Sequence, residues 1–156
     1  MSNPLDRLAA PTPSPGGGSA AAHVGAVGAA LVAMCAGLSK LDDVRARAEV
    51  LRRDLEALFE EDAAAFKDFL SGRSEEALKR ATLVPLLIAE KSAEVLLLAQ
   101  GATPKIAKEA LPDLKGAMRF AGAASEHAAA TAKYNLGEIA DKEFVQDVRL
   151  RLLRIP

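Results

Sequence analysis

The 156-residue chain has no tryptophan, one tyrosine and one cysteine, and aromatic residues make up only 4% of it. β-Branched and aromatic residues favour strands. Their scarcity argues against a β-sandwich, a barrel or a Rossmann sheet. The lone cysteine, Cys35, excludes a disulfide framework and a multi-cysteine zinc site, and it suits a reducing cytosol. The net charge is only −1, which gives no general attraction to nucleic acid or to an anionic membrane. Residues 1–10 contain Asp6 and Arg7 and no apolar signal core, so export is not indicated and a cytoplasmic location is expected. A Walker loop, HExxH, CxxC and GxSxG are all missing. The two histidines, His23 and His127, are isolated, which points to interior or surface polar groups rather than metal ligands, and no metal is expected.

What is present is alanine and leucine, 33 and 22 residues, within a composition that is half apolar. That much apolar content at so little net charge excludes disorder. Both residue types head the helix scale. The expectation is one domain over residues 1–156, an all-α, up-and-down bundle of about five helices. An alanine-rich core is shallow, so the helices must approach closely or meet a second subunit. A homodimer is expected for that reason.

The sharpest break is Pro11-Thr12-Pro13-Ser14-Pro15-Gly16-Gly17-Gly18-Ser19, through which no helix can run. It reads as an ordered turn that launches a helix, with Ser19 as the N-cap. From Ala20 to Leu38 there is no charge. A helix without a polar face is buried or spans a membrane. The weak apolarity of Ala and Gly and the lack of an aromatic belt favour a buried bundle helix, with no membrane partner. Gly25, Ala29, Ala33 and Gly37 recur four apart and would let another helix backbone come close.

Val44, Ala48, Leu51, Leu55, Leu58, Ala65 and Phe69 place a core face on a charged helix over Leu41–Leu70. The break at Ser71–Ser74 starts a third helix, Glu75–Gln100, with Pro85 inside it as an expected kink. After the turn at Gly101–Pro104 comes a short helix at Lys105–Ala110. A second alanine-rich helix follows, Leu114–Leu136, and a last one, Ile139–Leu153.

Three successive glycines are costly to order. They serve either a tight turn under the buried helix or a backbone that approaches a ligand with its N–H groups at a helix N-terminus. The proline–glycine segment, running into an Ala/Gly/Val helix that reaches Met34, resembles the opening of the formiminotransferase-cyclodeaminase C-terminal family. The similarity continues through Asp62-Ala63-Ala64-Ala65-Phe66, like the family's D-A-x-A-F, and Ala81-Thr82-Leu83-Val84-Pro85-Leu86, like its A-T-x-V-P-L. Pro112-Asp113-Leu114-Lys115-Gly116-Ala117 is similar to S/T-D-x-x-V-A, with Pro112 in the Ser/Thr place. Thr131-Ala132-Lys133-Tyr134-Asn135-Leu136 is similar to N-V-x-x-N-L, with Thr131 in place of the first Asn.

The resemblance implies a dimeric helical bundle with a folate site near the subunit interface. It implies hydrolysis of 5,10-methenyltetrahydrofolate to 10-formyltetrahydrofolate, or else ring closure of formiminotetrahydrofolate with loss of ammonia. Hydrolysis is preferred, because a free-standing domain has no transferase to supply the formimino substrate. A non-catalytic helical dimer is the alternative that the changes at Pro112 and Thr131 leave open. The substrate cation needs a carboxylate that stabilises it and takes a proton from water. Asp62 and Asp113 are the candidate catalytic residues. Gly16, Gly17, Gly18, Ser19 and Asn135 are the candidate substrate-binding residues. Neither reaction requires a cofactor or a metal. For Asp62 the plainer reading is a solvated helix carboxylate, and for Asp113 a helix N-cap.

Overall fold

A computed structural model describes residues 3–156. Six α-helices follow one another: α1 (Pro4–Ala9), α2 (Gly17–Leu38), α3 (Asp42–Gly72), α4 (Glu75–Ala102), α5 (Leu111–Asn135) and α6 (Lys142–Leu153). Single turns of 3₁₀-helix lie at Thr103–Lys105, Lys108–Ala110 and Leu136–Glu138. There is no strand among the described residues. The expected all-α bundle is present. The sixth helix is the short α1, which precedes the proline–glycine segment.

Helix α2 is the axis of the bundle and packs against α3, α4 and α5. Leu51 and Leu55 of α3, Leu86, Ile88 and Val95 of α4, and Leu114 of α5 are fully buried. Between them lies a lining of alanines on α2 and α5. Close approach has a direct trace at Gly28. A Cβ there would lie 3.2 Å from the Ala117 carbonyl oxygen and 3.3 Å from the Ala121 nitrogen. Those atoms are backbone and cannot step aside. Gly25, across one turn, faces Ser92, Leu55 and Ala124. Helix α2 is long and apolar enough to cross a membrane, but more than half of its most apolar window is buried inside the bundle. A small second core of Leu78, Leu86, Ala132, Leu136, Ile139 and Val148 seats α6 against α4 and the end of α5.

The helix ends explain the boundaries. Ser74 caps α4, its hydroxyl accepting from the Ala77 N–H at 3.1 Å, with Glu75 and Glu76 in the favourable first turn. Asp141 caps α6 by accepting from Glu143 and Phe144. Helix α2 starts two residues earlier than Ser19 and uses Gly16 as a cap with no side-chain hydrogen bond. Ser19 is therefore not the N-cap. It sits within the first turn, wholly buried. Helix α4 runs on through Pro85 from Glu75 to Ala102.

Candidate active site

The N-terminal turn of α2 meets the middle of α3, the first half of α4 and the end of α5. Between them is a cleft of about 270 Å³, lined by Pro13, Gly16, Gly17, Gly18, Asp62, Phe66, Ala81, Pro85, Thr131 and Asn135. The turn is held in place from two sides. The Ser14 hydroxyl donates to the Ala63 carbonyl at 2.8 Å. Just before the turn, the Arg7 guanidinium forms a two-pronged pair with Glu60 and lies over the Phe59 ring at 5.0 Å.

Asp62 is the one charged residue that lines the cleft. It is 8% exposed, and its Oδ2 accepts from the Ser19 hydroxyl at 2.8 Å. Burial raises its pKa above the ordinary carboxylate value. The Ser19 hydroxyl and backbone N–H oppose the rise by bonding to the ionised form. The plainer reading of Asp62 as a solvated carboxylate is thus overturned by its burial. Ser19 reaches the cleft only through Asp62.

Gly18 owes its identity to the same carboxylate. A Cβ there would meet Asp62 Oδ1, with Oδ2 and Cγ at 2.7 Å. Alanine is the better helix former by about 1 kcal/mol. Yet it would push the carboxylate off Ser19. If the cleft is catalytic, Gly18→Ala is expected to lower turnover by about tenfold or more, since small displacements of a positioned carboxylate are costly. A wild-type rate in that variant would show that Asp62 can move without consequence.

Pro85 and Asn135 form one unit. A proline has no N–H, so the carbonyl four residues back in the helix loses its partner. That carbonyl is Ala81, and the Asn135 Nδ2 donates to it at 2.9 Å. With Nδ2 so fixed, Oδ1 has no hydrogen-bond partner among the described residues and is the acceptor Asn135 brings to the cleft. Thr131, one turn earlier on α5, also lines the cleft, with its hydroxyl turned back to the His127 carbonyl at 3.1 Å.

The structure does not bring Asp113 to this place. It is exposed in the first turn of α5, 22 residues before Asn135 on the same helix. At 1.5 Å per residue the two are roughly 33 Å apart. Its charge is felt instead near Cys35, where burial foremost, and then Asp113, push the thiol pKa up. Nor is Asp113 the N-cap of α5, a place taken by Ala110.

Several cleft residues escaped the sequence reading: Pro13, Phe66, Ala81, Pro85 and Thr131. All lie inside the motifs already quoted. The signal was a spacing of four, which puts Asp62 with Phe66, Ala81 with Pro85, and Thr131 with Asn135 on single helix faces.

The chain is a small, all-helical bundle with a carboxylate buried at a glycine-rich helix start. The model of the formiminotransferase-cyclodeaminase family matches residues 1–153, and the chain belongs to that family. It is 32% identical over 170 aligned residues to a methenyltetrahydrofolate cyclohydrolase of Methylorubrum extorquens, covering 92% of this chain and 82% of that one. Its fold is that of a formiminotetrahydrofolate cyclodeaminase from Thermotoga maritima, with a TM-score of 0.91 at 23% identity over 96% of this chain and 84% of that one.

Proposed function

We propose that the protein is a folate one-carbon enzyme that hydrolyses 5,10-methenyltetrahydrofolate to 10-formyltetrahydrofolate. The observation that carries this reading is the composition of the cleft: a buried carboxylate, an aromatic ring and a fixed amide. Such a lining suits a flat, delocalised cation. The similarity to a cyclohydrolase over most of both chains supports the same reaction.

Each group has a task. Asp62 lies opposite the positive charge and takes the proton of the attacking water. Its raised pKa makes it a stronger base than an ordinary carboxylate. The Oδ1 of Asn135 accepts from the pterin N–H edge. Gly17 and Gly18 present N–H groups that precede the first intrahelical bond, which runs from Ala20 to Gly16. They can hold the oxygen that arrives on the one-carbon unit. Phe66 offers its ring to the cation. At about 270 Å³ the cleft is smaller than typical sites for whole drug-sized ligands. It takes the ring system, and the benzoylglutamate tail lies outside.

A homodimer is part of the proposal. Val27, Ala30, Met34 and Leu38 form an exposed, uncharged stripe along α2, and Phe120 and Ala123 extend it on α5. Contiguous apolar surface of this kind marks an interface. The stripe begins at Val27, ten residues and roughly 15 Å along α2 from Gly17, so the subunit contact would lie further along α2 than the cleft. Light scattering should give twice the chain mass, and Met34→Glu should give the monomer. A monomeric wild type would refute the contact.

The reaction is tested with the purified protein and methenyltetrahydrofolate, by following the loss of its absorbance over the spontaneous rate. Acceleration is expected. No acceleration, with no folate binding by calorimetry, would leave a non-catalytic bundle. A parallel assay with formiminotetrahydrofolate reads the gain of the methenyl chromophore and would detect the deaminase instead.

A further inference from the structure

One titratable side chain near the cleft has no task in the reaction as described. His127 lies on the α5 face that carries Thr131 and Asn135, at spacings of four and eight. Its ring is pressed against Gly17. A Cβ at Gly17 would lie 2.5 Å from Nε2 and 3.3 Å from Cε1. Neighbouring glycines thus make room for two ionisable groups, Gly18 for the Asp62 carboxylate and Gly17 for the His127 imidazole. The imidazole is exposed and has no hydrogen-bond partner among the described residues.

The reaction needs what this ring can supply. Opening the one-carbon bridge expels a nitrogen, and an amine leaves readily only when it is protonated. No cleft-lining side chain starts the reaction with a proton free to give. The Thr131 hydroxyl donates to the His127 carbonyl and the Asn135 amide to Ala81. Asp62 accepts from Ser19 and starts the reaction ionised, so it has no proton to give until water has been deprotonated. The imidazole at the rim is the remaining donor.

We propose that His127 is the general acid of this site, delivering the proton to the departing ring nitrogen. The inference rests on the hydrolytic reading above. Water oxygen bonds to the methenyl carbon while its proton passes to Asp62. The bond from that carbon to N5 then breaks, and its electron pair goes to N5. The imidazolium proton moves onto N5. The hydroxyl left on the carbon loses its proton to solvent and becomes the formyl oxygen. Asp62 returns a proton to solvent and His127 takes one up. Each turnover consumes one water and releases one proton.

The test compares wild type, His127→Ala, His127→Gln and Asp62→Asn under saturating methenyltetrahydrofolate, with added imidazole as the probe and its uncatalysed rate subtracted. For both His127 variants kcat should fall about 10²-fold, while KM changes by less than about threefold and the thermal midpoint holds. Imidazole should restore about tenfold of the His127→Ala rate and none of the Asp62→Asn rate. Glutamine hydrogen-bonds but has no acidic proton to give up, so a His127→Gln enzyme at wild-type rate would overturn the proposal. So would a loss in His127→Ala that imidazole leaves unchanged. A wild type that fails to accelerate hydrolysis would overturn the reading beneath it as well, a result distinct from an active wild type with active His127 variants.

Discussion

Asp62→Asn is expected to lower kcat by about 10²–10⁴-fold, the usual worth of a general base, and yet to raise the thermal midpoint by about 2–4 °C. The two effects have one cause. Burial holds the Asp62 pKa above its unfolded value, with the Ser19 bonds opposing. A folded state that keeps a proton more tightly than the unfolded one gains stability from it at low pH. The gain is full below the ordinary carboxylate value and is lost as pH rises through the raised one. At neutral pH the chain therefore carries an ionised group in a place that disfavours it. Asparagine keeps an acceptor for the Ser19 hydroxyl and removes the charge. Melting curves of wild type and variant should converge toward acid pH and separate toward neutrality. The rate profile should mirror this, falling on the acid side with an inflection above the ordinary carboxylate range that Asp62→Asn lacks. An Asp62→Asn protein less stable than wild type at neutral pH would show that the Ser19 bonds outweigh burial.

Gly25→Ala is expected to destabilise the fold by about 1–3 kcal/mol, the range for overpacking a core. Its Cβ would lie 2.6 Å from Ser92 Oγ, 3.3 Å from Leu55 Cδ1 and 3.5 Å from Ala124 Cβ. The helix propensity it gains, about 1 kcal/mol, is smaller. Ser92 is fully buried, and its hydroxyl has no hydrogen-bond partner among the described residues. An unpaired buried hydroxyl costs about 1–3 kcal/mol. Ser92→Ala should therefore stabilise the chain, and in that background Gly25→Ala should cost little or nothing. Denaturant unfolding of the two single variants and the double variant gives the coupling. Additive effects would mean that the helices move apart as units and the hydroxyl is not the obstacle.

The sequence made the architecture plain, because smooth alanine faces and charged amphipathic stretches differ so strongly. It misread local events that distant residues decide. Helix α2 starts at Gly17, although glycine is a poor helix former, because the room over Gly17 and Gly18 is filled by His127 and Asp62 from α5 and α3. That contact spans more than a hundred residues between Gly17 and His127, and no local pattern reveals it. Asp62 stood out through its motif, but its burial came only with the fold. Asp113 sits in an equally suggestive motif and lies at the far end of α5, because motif and site part company when a helix is 25 residues long.

The pairing of Pro85 with Asn135 has a consequence for substitution. If Pro85 were replaced by a residue with an N–H, α4 would satisfy Ala81 from within its own ladder, and the Asn135 amide, 54 residues away, would have to share that carbonyl. The helix would gain regularity, while the Asn135 oxygen would face the cleft at a less fixed angle. A hydrogen missing from one backbone position thus sets the orientation of a side chain on another helix. A change at either residue therefore alters what holds the other in place.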